Sequence, residues 1–473
     1  MTLLDSILDL LVVATIALPA AACVLLALCA WFGVALSERR VASLVAVAFF
    51  GATVCALSSI VVLALLGRGA HVLRLGSWFA VADYSFDWCL LADRLSLPFA
   101  SFVAGLTGLI AAFSRRYLHR EQGFLRFYLL LALFGAASEV VVLAASLDQV
   151  FFGWELVGLA SALLIAFFHE RPKPVEHGFR AYVTYRICDV GLLGALVFLH
   201  HTSHASFEQA EPWFALAAAP TNDVATLGAL LLLLASMGKS AQVPLGGWLP
   251  RAMEGPTPSS AIFYGAISIH LGPYLLLRAG PLFLQSPLAS WSLIGVGAVT
   301  AMHATFVGRV QTDIKSVLAY ASMTQVGLIF VEIGFGFHYV PLVHICGHAA
   351  VRSLEILRSP SLLHDQRHLE QAVGRQVARV PLHVDRLVPK ALRPWLYRHA
   401  LERGAFDVVL RSFVKRVLYG LRRLDALDRR LTRVLLRRSD DPSVVAPTGL
   451  QASHFAADVE RDSDASRSEE QSS

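Results

Sequence analysis

The sequence predicts an all-α, polytopic membrane protein with about eleven transmembrane helices. Of its 473 residues, 56% are hydrophobic and only 16% are charged, which is more apolar surface than a water-soluble protein of this size buries. Apolar stretches of about 20 residues, the length that crosses a bilayer as a helix, recur through residues 1–360. The six cysteines are scattered without a CxxC pair, so they predict neither a disulfide framework nor a zinc site.

Eleven spans follow from the hydropathy pattern. They are residues 8–36, 41–67, 94–113, 125–145, 148–168, 181–200, 224–250, 257–278, 288–308, 316–334 and 339–358. The first is too long for a signal peptide and lacks a basic leader, so we expect it to remain in the mature protein. Between the second and third spans, alternating aromatic residues predict an extramembrane hairpin, with Asp87 near its turn and Asp93 at its exit.

Basic residues predict the orientation. They cluster after the odd-numbered spans, as Arg39, Arg40, Arg115, Arg116, Arg120, Arg126, Arg171, Lys173, Arg180, Arg251, Arg309 and Lys315. The opposite loops hold little beyond Arg68, Arg74 and Arg278. Because cytoplasmic loops carry the excess of lysine and arginine, we expect the N-terminus outside and the C-terminal tail in the cytoplasm.

The tail predicts an amphipathic helix over residues 407–438. Its apolar stripe consists of Leu410, Val414, Val417, Leu421, Leu424, Leu431 and Leu435, and arginines and lysines fill the other face. Such a helix lies on an anionic membrane surface or docks on a partner protein, and both remain open. Nucleic acid is not expected as a partner. Residues 451–473 are polar and Ser-rich, which favours disorder.

The seventh span carries a lysine to membrane depth and then breaks. Lys239 ends an apolar run, and Pro244 follows with glycines at 246 and 247. Proline removes a backbone donor, and an interrupted helix is tolerated in a membrane only where protein or a wet cavity surrounds it. A charge there costs about 2.5–3.5 kcal/mol, so Lys239 is a candidate functional residue. The alternative is a lysine that extends to the interface.

Other ionisable residues fall inside spans five to eleven. They are Glu155, Arg186, Asp189, His270, Lys315, Glu332, His344, His348 and Arg352. Arg186 and Asp189 are three residues apart and share a helix face, as do His344, His348 and Arg352 at four-residue intervals. The set suggests an acid–base chain that carries protons across the membrane, with Glu155 and Lys239 at its centre.

The same residues allow two alternatives to a proton path. Arg186 and Asp189 could equally form a structural ion pair that fixes helix packing. The two histidines at i, i+4 could bind a metal, but no HExxH motif or nearby cysteine or carboxylate completes a site, so none is predicted. No cofactor is expected. The sequence does not decide whether His270 and Glu332 take part or only pack.

Several of these segments resemble a known superfamily. They are GWELVGLASALLIAFF, TYRICDVG, GKSAQVPLGGWLPRAMEGPTPSSA, VQTDIKSVLAYASMTQVGLIF and HICGHAAVRSL. Over roughly residues 90–360 they are similar to the antiporter-like, proton-conducting subunits of respiratory complex I, above all the L-type subunit, and to Mrp antiporter subunits. The resemblance implies that Glu155 and Lys239 are central proton-path residues. It also places Arg186, Asp189, Lys315, His344 and Arg352 at family positions.

The resemblance also implies a domain organisation. Residues 1–92 would form two spans and the hairpin, residues 93–280 a first inverted repeat with its broken helix, and residues 281–360 a truncated second repeat. Residues 361–450 would form the basic tail, followed by the disordered residues 451–473. Tyr264 replaces a family histidine, and Arg352 replaces a lysine with a group that cannot release its proton.

The truncated form points to one branch of the superfamily. With SSAIFYGAISIHLGPYLLLR, FVEIGFGF and GHAAVRSLEILRSPSLLHD, the chain resembles the DabB family, the membrane subunits of two-component inorganic carbon pumps. The resemblance implies a soluble, zinc-containing, DabA-like partner similar to a β-type carbonic anhydrase, in the bacterial inner membrane. This chain would then be a transport subunit and do no covalent chemistry itself. A complex I-like subunit or an Mrp-like sodium/proton antiporter subunit remains the alternative.

Overall fold

The computed structural model describes residues 3–81, 84–202, 221–311, 313–373, 389 and 391–438. The main helices of its first half are α1 (Leu3–Trp31), α2 (Glu38–Leu65), α3 (Ser96–Tyr117), α4 (Phe124–Leu143), α5 (Leu147–Ile165), α6 (Pro172–Thr202) and α7 (Asn222–Lys239). They are followed by α8 (Thr257–Ser260), a π-helical turn (Ala261–Ala266), α9 (Ile267–Arg278), α10 (Gly280–Gln285), α11 (Pro287–Arg309), α12 (Ile314–Gly334) and α13 (Tyr339–Val373). The tail contains α14 (Arg393–Leu401) and α15 (Phe406–Arg438).

Ten helices in the described ranges are long and apolar enough to cross a membrane. Together with the interrupted α7 they match the eleven predicted spans, and the all-α, polytopic fold class is confirmed. The continuous helix Thr257–Arg278 is buried throughout its most apolar window, whereas α1 and α2 bury only about a third of theirs. Leu10 and Val47 are each 69% exposed, as expected for side chains that face lipid.

The predicted hairpin is present between α2 and α3. Strands β1 (Ala70–Val81) and β2 (Tyr84–Asp93) pair antiparallel, with Ala70 opposite Asp93 and Ser77 opposite Asp87. Its inner edge is held to the bundle, because the backbone N–H of Ala145 donates to the carbonyl of Cys89. We call the side of the bundle that carries β1 and β2 the hairpin side. The loops with the arginine clusters lie on the opposite side, which we call the arginine side.

The seventh helix breaks where the sequence predicts. After Lys239 the chain turns through Ala241 at a positive φ of 53° and forms two short 3-10 turns, Leu245–Trp248 and Arg251–Glu254. The carbonyl groups freed at the helix end are satisfied: Trp248 donates its indole N–H to Gly238 O at 3.1 Å, and Gln242 N donates to Met237 O. Polar groups at such a break must find partners inside the protein; these two carbonyls do, whereas the buried side-chain oxygen of Gln242 has no partner among the described atoms.

The chain beyond the last span differs from the prediction. We expected the eleventh span to end at residue 358, but α13 continues as one helix to Val373. Pro360 removes one backbone donor inside this helix, and the helix continues beyond it through residues of good helix propensity such as Gln366, Glu370 and Gln371. The amphipathic tail helix is confirmed as α15, and its described leucines, including Leu424 and Leu431, are more than half exposed. Residues 451–473 lie outside the described residues.

Candidate functional site

Lys239 is buried at the broken end of α7. Lys239 is only 1% exposed. The alternative of a lysine that extends to the membrane interface is therefore wrong. The ammonium group donates to the backbone carbonyl of Trp154 at 3.0 Å. It also lies 4.7 Å from the ring of Trp154 and 4.8 Å from that of Tyr185. Aromatic faces attract a desolvated cation, so α5 and α6 together form a cation-binding pocket for this amine.

The acidic and basic residues of α5 and α6 form a chain beside Lys239. Glu155 pairs with the guanidinium of Arg186, and Arg186 reaches Asp189 at 2.8 Å. Asp189 in turn accepts a 2.5 Å hydrogen bond from the indole N–H of Trp154. Trp154 thus contacts both Asp189, through its ring nitrogen, and Lys239, through its carbonyl. We call Glu155, Arg186, Asp189 and Lys239 the central cluster.

The central cluster brings four of the predicted residues together but connects them differently from our expectation. We expected Glu155 and Lys239 to exchange protons as a pair. The structure instead pairs Glu155 with Arg186, and the side chains of Arg186 and Trp154 connect Glu155 to Lys239. Two carboxylates balance two cations, while the guanidinium Nε of Arg186 is buried without a hydrogen-bond partner among the described atoms. The cluster is therefore neutral overall and incompletely satisfied, which leaves room for a proton to change place.

A ladder of aromatic rings leads from Lys239 towards α13. The ring of Tyr185 lies 4.9 Å from that of Trp248, which lies 5.6 Å from Tyr264 on the π-helical turn. That turn packs against α13, where Ser353 donates to Ala261 O at 3.3 Å. The buried hydroxyl groups of Tyr185 and Tyr264 have no partner among the described atoms. Each hydroxyl can donate and accept a hydrogen bond, and Ser161 lies close enough to that of Tyr185 to interact with it.

Three histidines form the second polar group, which we call the histidine cluster. His270 Nε2 lies 3.0 Å from His348 Nδ1, and the rings of His344 and His348 are 6.4 Å apart. His344 bonds Glu332 at 2.7 Å through Nδ1 and Gln325 at 3.0 Å through Nε2. The predicted stripe on α13 is therefore joined by residues from α9 and α12.

Hydrogen bonding constrains the tautomers in this cluster. His270 Nδ1 bonds the carbonyl of Ala266, and because a carbonyl only accepts, this nitrogen carries the proton. In the neutral ring the other nitrogen of His270 is then the acceptor for His348 Nδ1–H. That leaves His348 Nε2 as a lone pair, and this buried atom has no partner among the described residues. His348 is therefore placed to accept a further proton.

Of the remaining predicted residues, Arg352 borders the histidine cluster, where its charge acts on His348, and Lys315 lies apart from both groups. Arg352 pairs with Glu355 at 2.6 Å, one turn beyond His348. Lys315 lies at the start of α12, in a recess of about 430 Å³ that also includes His177 and Asp313. His270 and Glu332, which the sequence left undecided, are direct hydrogen-bond partners of the predicted histidines.

Sequence reasoning missed two further features. Glu139 of α4 is completely buried, and both of its carboxyl oxygens lack partners among the described atoms; its sequence signal was a lone acid inside the apolar fourth span. On the hairpin side, Arg278 forms a bidentate pair with Asp93, at 2.5 and 2.9 Å, and donates to the hydroxyl of Tyr274. We call Asp93, Tyr274 and Arg278 the hairpin lock.

The hairpin lock has the electrostatics of a structural pair. Asp93 also accepts from the backbone N–H groups of Leu95 and Ser96, at 2.9 and 2.8 Å, at the start of α3. Burial by itself would raise the pKa of Asp93, but the charge and hydrogen bonds of Arg278, with these two N–H groups, lower it below its ordinary value.

No group of three histidine, cysteine, aspartate or glutamate side chains lies close enough to hold a metal ion within the described part of the chain.

Two family models match the sequence. The model described as "NADH:quinone oxidoreductase/Mrp antiporter, TM" matches residues 144–376, which include every predicted site residue. The model described as "NADH-Ubiquinone oxidoreductase (complex I), chain 5 N-terminus" matches residues 78–128.

Curated relatives agree with these models. NADH-quinone oxidoreductase subunit L of Escherichia coli is 37% identical over 298 residues, which is 63% of this chain and 49% of that protein. The subunit L of Rhodobacter capsulatus is 35% identical over 334 residues, 66% of this chain and 46% of that protein. The chain thus spans about half the length of these relatives.

Two solved structures have a similar fold. The Mrp complex from Dietzia sp. DQ12-45-1b matches 81% of this chain and 40% of its own chain, with a TM-score of 0.60 and 26% identity. An archaeal membrane-bound sulfane sulfur reductase matches 73% of this chain and 70% of its own, with a TM-score of 0.61, but its 18% identity bears on the fold alone.

Proposed function

We propose that this chain, which is a membrane subunit of the complex I L-subunit and Mrp antiporter-like superfamily, conducts protons through the central and histidine clusters. The observation that carries the proposal is Lys239: a lysine that is 1% exposed, placed where a helix breaks, and bound to a carbonyl and two aromatic rings. Intramembrane lysines are costly and are retained where a transported ion needs them.

The proposed proton path runs from the central cluster, along the aromatic rings of Tyr185, Trp248 and Tyr264, to the histidine cluster. A proton enters at the amine of Lys239, which can release it because the neutral amine fits the apolar pocket. The carboxylates of Asp189 and Glu155 stabilise the charged form, and Arg186 holds both carboxylates in place. The hydroxyl groups of Tyr185 and Tyr264 bridge towards His348, whose free Nε2 accepts a proton. His270 and His344 then pass the charge between α9, α12 and α13.

The proton current would serve an energy-coupled inorganic carbon uptake pump. In this role the chain is the inner-membrane subunit of a DabB-like system, and a soluble, zinc-containing, DabA-like partner hydrates CO2 to bicarbonate. The support for the carbon substrate is the resemblance of the segments around Tyr264, Glu332 and Arg352 to the DabB family. Catalysis would occur on the partner, and proton flow here would make the hydration one-way.

Two other candidate functions are favoured by the comparisons. The curated relatives are subunits of NADH-quinone oxidoreductase, and a matching structure is an Mrp complex. Each predicts a different coupled activity for the same proton path: co-purification with NADH:quinone activity for the first, and sodium-dependent proton movement in vesicles for the second.

The test separates the proton path from the carbon substrate. The chain is reconstituted in liposomes that contain a pH-sensitive dye, alone and with a DabA-like partner, and is also expressed with that partner in cells that lack carbonic anhydrase. We expect Lys239→Ala to abolish proton uptake and growth in air, while Lys173→Ala, which removes an exposed lysine at the start of α6, retains both. Full growth with Lys239→Ala contradicts the proton path, and failure of the unaltered pair to support growth contradicts the carbon role.

The tail gives a further test of the partner. We propose that α15 docks the complex on the membrane or on the partner. Deletion of residues 407–438 should therefore release the DabA-like partner or the chain itself from the membrane, measured by co-purification and membrane fractionation. Unchanged assembly and membrane retention would contradict this role.

A further inference from the structure

We propose that Glu139 of α4 is an additional proton-binding site, placed between the histidine cluster and the hairpin side. This inference rests on the proposed proton path and extends it by a residue that neither the motifs nor the two polar clusters include.

The environment of the Glu139 side chain supports a neutral, proton-carrying acid. Glu139 is 0% exposed, and neither carboxyl oxygen has a hydrogen-bond partner among the described atoms. The other acids with little exposure in the described residues differ: Asp189 is bonded by Trp154 and Arg186, Asp5 by Arg68, and the less buried Asp93 by Arg278. An ionised carboxylate without any partner is far too costly in an apolar interior, so the group rests as the neutral acid and carries a proton.

The position of Glu139 on α4 places it next to α9. Glu139 and Val142 are three residues apart and share a helix face. The carbonyl of Val142 accepts the hydroxyl of Tyr274 at 2.6 Å, so this face of α4 lies against α9. Glu139 is also close enough to Tyr274 for an electrostatic interaction. Since His270 lies one turn before Tyr274 on α9, Glu139 borders the helix that contributes His270 to the histidine cluster.

Among the described residues, no other polar group on this face is free to exchange a proton. The hydroxyl of Tyr274 donates to Val142 O and accepts from Arg278, so its proton is engaged. The guanidinium of Arg278 is bound to Asp93 and Tyr274. Glu139 is the acid on this face of α4 that can release a proton and take one back without breaking a fixed bond.

The proposed step is a single proton transfer. The carboxylic acid of Glu139 gives its proton to a transient water molecule on the hairpin side and becomes a carboxylate. It is neutral again when a proton arrives from the histidine cluster, and no other bond is made or broken. The transient charge is the costly state, so Glu139 limits how many protons occupy the path at one time.

The experiment uses the whole chain in liposomes and one isosteric variant. We expect E139Q, which keeps the shape but cannot release a proton, to lower proton uptake at least tenfold, and Glu139→Asp to retain part of it. Glu176→Gln, at an exposed position in the first turns of α6, is the matched control and should behave as the unaltered chain. Wild-type uptake in E139Q overturns the proposal.

A second measurement keeps the inference separate from the proposed function. Infrared difference spectra in H2O and D2O should show the carbonyl stretch of a protonated carboxyl group without hydrogen bonds, assigned to Glu139 by isotope-labelled glutamate and lost in E139Q. This band is measured on the unaltered protein and does not depend on transport, and its loss is scored in E139Q that keeps the helical circular dichroism of the unaltered chain. Absence of the band overturns the neutral acid. Unaltered proton uptake in Lys239→Ala would overturn the proton path while leaving the band as the test of Glu139.

Discussion

The hairpin lock and the central cluster each contain an arginine–carboxylate pair, but the two pairs differ in burial and in how completely they are satisfied. In the lock, Arg278 is 6% exposed and donates to two oxygens of Asp93 and to Tyr274. In the central cluster, the side chain of Arg186 is 31% exposed and that of Glu155 24%, and the Nε of Arg186 has no partner among the described atoms. A fully bonded pair rigidifies, whereas an incompletely bonded one keeps alternative arrangements close in energy.

The difference assigns separate tasks to the two regions. The lock joins the end of β2, the start of α3 and the end of α9, so it fixes the hairpin on the bundle. The central cluster joins α5, α6 and the broken end of α7 around an amine that is 1% exposed. We therefore expect changes in the lock to act on stability, and changes in the central cluster to act on proton transfer.

The largest expected effect is the loss of the lock. Arg278→Met leaves Asp93 as a buried, unpaired carboxylate, which should lower the free energy of unfolding by about 3–5 kcal/mol. The measurement is denaturation of the detergent-solubilised chain, with Arg186→Met as the matched control. Because Arg186 and Glu155 are partly exposed, and Asp189 keeps the indole N–H of Trp154, the loss in that variant should be smaller. Adding Asp93→Asn to Arg278→Met should recover part of the loss, and equal losses in the two arginine variants would remove the distinction between the regions.

The next effect concerns the acid of the central cluster. Glu155→Gln removes a charge and a proton acceptor but keeps the shape, and Arg186 retains Asp189. We expect proton uptake in liposomes to fall about a hundredfold, the usual contribution of a positioned acid or base, with stability changed by less than about 1 kcal/mol. A variant that is strongly destabilised but still conducts would assign Glu155 to structure.

Low pH should weaken the stability that the hairpin lock provides. The pKa of Asp93 is lowered in the folded protein, so its contribution to stability is fully present above the unfolded value of about 4 and is lost as the pH falls through the folded value. Melting temperatures of the unaltered chain should therefore decrease more steeply below about pH 4 than those of Asp93→Asn. Parallel curves would show that the lock contributes no charge-dependent stability.

The smallest expected effect is that of Gly158→Ala, which adds a methyl group beside Lys239. A Cβ atom at Gly158 would lie 3.1 Å from the amine of Lys239 and 3.2 Å from Arg186, so Gly158→Ala must displace these flexible side chains by a few tenths of an ångström. Alanine favours a helix over glycine by roughly 0.5–1 kcal/mol. We expect unchanged or slightly higher stability together with a several-fold lower proton uptake, compared with Gly295→Ala, where a Cβ meets nothing within 4 Å. Equal uptake in both variants would show that the position of Lys239 is not critical.

The sequence by itself determined the span count, the hairpin and the break after Lys239. Those features depend on composition and local order: apolar stretches of membrane length, alternation in a short extramembrane segment, and a proline that cannot continue a helix. The pair Arg186 and Asp189 and the stripe His344, His348 and Arg352 follow from helical spacing in the same way.

The tertiary structure alone decided which of these residues touch. It paired Glu155 with Arg186 rather than with Lys239, brought His270 of α9 to His348 of α13, and joined Asp93 to Arg278 across 185 positions of the chain. Among the described atoms it also left both carboxyl oxygens of Glu139 without a partner. Pairings between helices depend on how ridges and grooves of distant segments pack against one another, and no local pattern along a single helix encodes that choice.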